Sequence, residues 1–139
     1  MDATVIWKKG LSFDGQGHAS GFSLPLGADA SGGGDNDGFR PTELLLVGLA
    51  GCTAMDVISI LSKKRQNVTG FEVKAHGDRT EQDPKRFTSF LVEYIVKGEG
   101  IEPAAVERAV ELSETKYCSV MATLGFAGPV ERKITILPE

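Results

Sequence analysis

The stretch PTELLLVGLAGCTAMDVISILSKKR, residues 41–65, decides how the rest of the chain is read. Pro41 suits the first turn of a helix, where its missing N–H costs nothing, and Arg40 or Thr42 is placed to cap it. From Leu44 to Leu61 the residues are almost all apolar, and Lys63, Lys64 and Arg65 then supply the cations that favour a helix C-terminus. Eighteen such residues approach the length that spans a bilayer. Against a span stand Asp56, Ser59, Gly48 and Gly51, the absence of flanking aromatic belts, and strand-like segments on both sides. The expectation is a central helix of a soluble protein, apolar all round, covered by sheet on one side and by something else, such as a second subunit, on the other.

Outward from this helix the pattern alternates between strands and helices. Residues 3–26 hold short apolar pieces broken by Asp14-Gly15 and Gly17, which favour tight hairpins and predict a small antiparallel meander. GADASGGGDNDG, residues 27–38, has the composition of a mobile surface loop. It lacks the lysine of a phosphate cradle and the spacing and closing glutamate of a calcium loop. FEVKAHG, residues 71–77, alternates strictly and puts His76 on the polar face; DRTEQDPKR, residues 78–86, is a charged connector. In FTSFLVEYIVKGEG, residues 87–100, Phe90, Val92, Tyr94 and Val96 share one face of a strand. Pro103 opens a second helix, residues 103–118, with Val106, Ala109, Val110 and Ser113 as its buried stripe. VERKITILP, residues 130–138, closes the chain as a strand with Ile134 and Ile136 inward. Strands, helix, strands, helix, strand make an α+β fold with antiparallel sheet, expected to be one domain over residues 1–139.

Composition narrows the function. The chain is 41% hydrophobic and 24% charged with a formal net charge of −4, a poor match to the basic surface that nucleic acid requires. The opening MDATVIWKKG lacks the apolar core of a secretory signal, so a cytoplasmic location, with no membrane attachment and with reduced thiols, is expected. There is no CxxC or HExxH motif, and His18 and His76 lie far apart, so neither a metal nor a cofactor is expected.

Chemistry then rests on two cysteines. Cys52 lies roughly 15 Å along its helix at 1.5 Å per residue, too deep for the helix dipole to make it a thiolate. Asp56, one turn on, disfavours the thiolate further, so a reactive Cys52 needs a cation from outside the helix. Small neighbours (Gly48, Ala50, Gly51, Thr53) leave room for another group at the sulfur. An inert core thiol fits the same residues. Cys118 follows the second helix where a helix end meets a turn, and the two are equally compatible with a peroxidatic and resolving pair or with unrelated buried thiols.

PTELLLVGLAGCTAMDVISIL together with the later ETKYCSV resembles the OsmC/Ohr family of hydroperoxide-handling proteins, its YhfA-like branch in particular. The likeness runs from VIWKKGLSF through RQNV and LSETKYCSV to the last strand. It implies an intertwined homodimer in which antiparallel sheets wrap two central helices, with active sites at the subunit interface. It also implies thiol-dependent reduction of organic hydroperoxides or hydrogen peroxide, with an external dithiol as reductant. Cys52 matches the peroxidatic cysteine and Cys118 the resolving one. The family's assisting arginine sits in the N-terminal hairpin in Ohr-type members, where this chain has only Lys8 and Lys9, or in a loop in OsmC-type members, where Arg40 matches. The family's supporting glutamate falls ten residues before the first cysteine; here that position is Thr42, and Glu43 lies one residue later, about 100° around the helix. Arg40 is either the assisting cation or a capping-region residue, and Glu43 either its partner or a complement to the helix dipole. A non-catalytic relative that binds a small molecule or senses oxidants through the same thiols is the alternative function.

Overall fold

Strand β1, Ala3–Lys9, pairs antiparallel with β2, Ser12–Gly17, which pairs antiparallel with β3, Ser23–Leu26, so the expected meander is present. The computed structural model describes all residues, 1–139, and they form two compact units, Met1–Leu45 and Leu46–Glu139.

Within the first unit the second hairpin turn follows Gly17 as expected, but the first does not fall at Asp14-Gly15. Asp14 and Gly15 lie inside β2, opposite Ile6 and Val5, and the reversal falls at Gly10, which takes the left-handed φ of +49°. Asp14 is instead used across the strands, where its carboxylate meets Lys8 at 3.2 Å. The glycine-rich segment is also not the free loop its composition suggests. Ser12, almost fully buried, donates to Asp37 at 2.6 Å and holds that carboxyl below its ordinary range. A Cβ on Gly38 would lie 2.7 Å from the backbone of Pro25 and Leu26, so only glycine allows this close approach. An isolated parallel bridge, Leu26 to Phe39, completes the tie.

Helix α1, Pro41–Lys63, starts in the first unit and contributes most of its length to the second. Arg40 takes the capping position: its backbone N–H is accepted by Glu43 at 2.9 Å, half of a capping box. At the other end Arg65 adopts φ +56°, and Gln66 and Arg65 donate to Leu61 and Ser62 in a Schellman arrangement. By length and composition α1 would cross a membrane, yet its buried residues form one ridge, Leu49, Thr53, Val57 and Leu61, at a spacing of four. Within the chain that ridge is the covered side, and Val47 and Met55 are exposed at 54% and 73%.

The second unit is a three-stranded sheet with helices. β4, Val68–Arg79, pairs antiparallel with β5, Phe87–Gly98, and β5 is central in the order β4-β5-β6. Phe90, Val92, Tyr94 and Val96 of β5 are all buried, as their alternation predicts, and His76 is exposed beside Asp78. Burying each such aliphatic or aromatic side chain is worth about 1.5–3 kcal/mol. The last strand, β6, Val130–Leu137, runs parallel to β5 rather than antiparallel. The helical segment between them is a crossover that carries the chain back to the end where β5 began, and a strand entering there must run the same way.

That crossover is more broken than its apolar stripe suggests. Helix α2, Pro103–Leu112, buries Val106, Ala109 and Val110, then widens into a π turn over Ser113–Tyr117. A short helix α3, Ser119–Leu124, follows where the sequence reads as a plain turn. Cys118 stands at the junction, its N–H donating to the Ser113 carbonyl at 2.8 Å.

Candidate functional site

Both cysteines are free thiols of the second unit, Cys52 half-buried on α1 and Cys118 buried with 3% exposure. Cys118 caps α3, its Sγ accepting the Met121 N–H at 3.3 Å. Burial pushes its thiol up to about 11; the Met121 N–H opposes this, and the neighbouring Cys52 thiol and the Asp56 carboxylate raise it further. Cys52 is thus among the groups that act on the Cys118 thiol.

Beside the thiols runs a chain of hydroxyl groups. The Tyr94 hydroxyl on β5 meets Thr53 Oγ1 on α1 at 2.8 Å, Thr53 meets Ser113 Oγ at 2.7 Å, and Ser113 donates to Asp56 Oδ2 at 2.9 Å. Tyr94, Thr53 and Ser113 are fully buried. An ionised carboxylate only accepts, so the direction of the chain is determined by its end: Tyr94 donates to Thr53, Thr53 to Ser113, and Ser113 to Asp56. Burial pushes the Tyr94 phenol up to about 12, which keeps it a donor. Asp56 is half-buried and borders a crevice of about 420 Å³ with Met55, Ser59, Lys63 and Tyr117. Nearby, Arg132 of β6 pairs with Glu114 of the π turn at 3.1 Å. Burial nonetheless raises the Glu114 carboxyl, whose Oε1 has no partner.

The other two expected site residues belong to the first unit, and they meet through the backbone. Glu43 accepts the Arg40 main-chain N–H, while the Arg40 guanidinium donates to the Gly38 carbonyl at 2.8 Å and to Asn36 Oδ1. The guanidinium–carboxylate pair that the sequence allows is not formed. The same unit carries an open apolar groove of about 440 Å³ lined by Val5, Leu11, Phe13, Leu26 and Pro41.

Residues 34–133 match the family model described as OsmC-like protein. The chain belongs to the OsmC-like family. It is 42% identical to protein YhfA of Escherichia coli K12 over 124 residues, 89% of each chain. A crystal structure of a hypothetical protein from Aquifex aeolicus VF5 superposes with TM-score 0.85 at 29% identity, over 99% of this chain and 96% of that one. An organic hydroperoxide resistance protein OsmC from Legionella pneumophila superposes with TM-score 0.70 at 13% identity, over 96% and 95%, a likeness of fold.

The hydroxyl chain escapes a reading of the sequence, although each member leaves a mark there. Thr53 interrupts a ridge of Leu49, Val57 and Leu61; Tyr94 sits among Phe90, Val92 and Val96; Ser113 ends the stripe Val106, Ala109 and Val110. One hydroxyl on each of three apolar faces is the signal, because a buried hydroxyl without a partner is costly. Asp56, noticed for its effect on a thiolate, is the group on which these hydroxyls end.

Proposed function

We propose that this OsmC-like protein is a thiol peroxidase acting on organic hydroperoxides or hydrogen peroxide. The observation that supports it is two free thiols in a member of this family, Cys52 half-buried and Cys118 buried, with Cys52 among the groups that act on Cys118. In this reading the Cys52 thiolate attacks the distal peroxide oxygen and the O–O bond breaks. The alkoxide or hydroxide takes a proton and leaves, and Cys52 is left as a sulfenic acid. The Cys118 thiol then attacks the Cys52 sulfur, forming the disulfide, and its proton leaves with the sulfenate oxygen as water. An external dithiol reduces the disulfide and is itself oxidised. The sum is hydroperoxide plus dithiol giving alcohol, water and disulfide. The family resemblance assigns the assisting cation to Arg40 and its supporting carboxylate to Glu43, which accepts the Arg40 main-chain N–H.

A homodimer belongs to the same reading. The uncovered apolar side of α1, with Val47 and Met55, is suited to a second copy, and a dimer interface is where the family resemblance puts the active site. The turnover of a disulfide by a dithiol fits the reducing cytoplasm.

The test adds cumene hydroperoxide to the reduced protein with dithiothreitol, following peroxide loss and, by mass spectrometry, a Cys52–Cys118 disulfide. Peroxide loss no faster than that of Cys52→Ser defeats the peroxidase reading. Disulfide formation without turnover supports instead an oxidant sensor.

A further inference from the structure

We infer that Asp56 and Ser113 are positioning residues for the thiol pair: the Ser113–Asp56 hydrogen bond clamps the π turn, and with it Cys118, against the helix that carries Cys52. The inference rests on the Cys52–Cys118 pairing proposed above but not on peroxide as the oxidant.

Three observations converge on it. Ser113 makes two different bonds at once: its side chain donates to Asp56 of α1 at 2.9 Å, and its carbonyl accepts the Cys118 N–H at 2.8 Å. It is the one residue that joins the Cys52 helix to the Cys118 backbone by hydrogen bonds on both sides. The segment between Ser113 and Cys118 is a π turn, a wider and poorer-packed winding than an α-helix, and so needs an outside tie to hold one geometry. The anchors on α1 are Thr53 and Asp56, which directly follow Cys52 and lie one turn beyond it. Displacing Ser113 therefore moves the Cys118 backbone relative to the Cys52 helix.

The physical role is pre-organisation. A dithiol closes to a disulfide in proportion to the effective concentration of one sulfur at the other. A clamp that already holds the reduced sulfurs in reach removes freedom that ring closure would otherwise have to remove. Loss of the clamp leaves the reduced form freer while the disulfide still constrains the oxidised one, so the equilibrium shifts toward dithiol.

The experiment equilibrates the full-length protein with mixtures of oxidised and reduced dithiothreitol at pH 7. Protein dithiol plus cyclic disulfide gives protein disulfide plus dithiothreitol, a balanced two-electron exchange that needs no peroxide. Ser113→Ala and Asp56→Ala are expected to lower the equilibrium constant about tenfold. Asp56→Asn, whose carbonyl still accepts the Ser113 hydroxyl, is expected to stay within about twofold of wild type. Melting temperatures of the reduced variants are recorded in parallel. A purely structural role lowers them but leaves the dithiol–disulfide constant unmoved, which overturns the clamp. Asn behaving like Ala also overturns it, because charge and not the hydrogen bond is then at work. If the wild-type protein forms no Cys52–Cys118 disulfide in any mixture, the clamp and the pairing both fail; if it does and the Ala variants match it, the clamp alone fails.

Discussion

The polar groups around Arg40 and those around the two cysteines are organised in opposite ways. Arg40 is satisfied by residues two to four positions away, Gly38, Asn36 and Glu43, in half-buried to exposed surroundings. The hydroxyl chain beside the thiols joins residues 41, 60 and 57 positions apart and is buried over most of its length. A local polar cluster in water is adjustable and costs little to rearrange. A buried one has nowhere else to turn, so each link is worth the full desolvation of the group it satisfies. The contrast teaches that the two regions should fail differently when altered: the first in its chemistry alone, the second in its stability and in the thiol–disulfide equilibrium beside it.

The largest effect expected is on chemistry. Arg40→Ala should slow oxidation of Cys52 by cumene hydroperoxide about a hundredfold, the scale on which a preorganised donor is lost. Its unfolding free energy should change by no more than about 0.5 kcal/mol, as for a surface substitution. Stopped-flow oxidation and equilibrium unfolding measure the two arms; an unchanged oxidation rate removes Arg40 from the site.

Next comes Thr53→Val, which keeps the shape of the side chain but breaks two links of the buried chain. It should destabilise the protein by about 1–3 kcal/mol, because Tyr94 is left with a buried, unsatisfied hydroxyl. If urea unfolding finds it as stable as wild type, the buried chain is no stronger than the loop around Arg40.

The smallest effect is a slope in pH. Cys118 is raised from 9.0 to about 11 and Tyr94 from 10.0 to about 12. The folded protein therefore holds these protons more tightly than the unfolded chain does. Their contribution is fully present below about pH 9, and stability falls as pH rises from there toward 12. Cys118→Ser should flatten the lower part of the fall and Tyr94→Phe the upper part, as thermal unfolding at a series of pH values would measure.

Much of this was legible in residue order. Period-two alternation in β5 put Phe90, Val92, Tyr94 and Val96 inside, and the i, i+3, i+4 stripe of α2 did the same for Val106, Ala109 and Val110. Pro41 and Pro103 marked both helix starts. The reversal at Gly10 was missed because Asp14-Gly15 carries the stronger local turn signal, and strand pairing overrode it. The parallel β6 was missed because the direction of a strand is set by where its crossover ends, which local pattern does not encode. Cys52 and Cys118 were both singled out, yet spacing left them equally compatible with a pair and with two strangers.

The sequence by itself determined which faces are apolar, where helices begin, and that two thiols and one loop arginine are the groups worth watching, since each follows from the chemistry of neighbours along the chain. Only the tertiary structure decided that Arg40 spends its guanidinium on Gly38 and Asn36, and that a chain of three hydroxyls from three elements ends on Asp56. These are contacts between residues brought together by burial of the apolar faces around them. Their partners are chosen by packing, which no window of sequence contains.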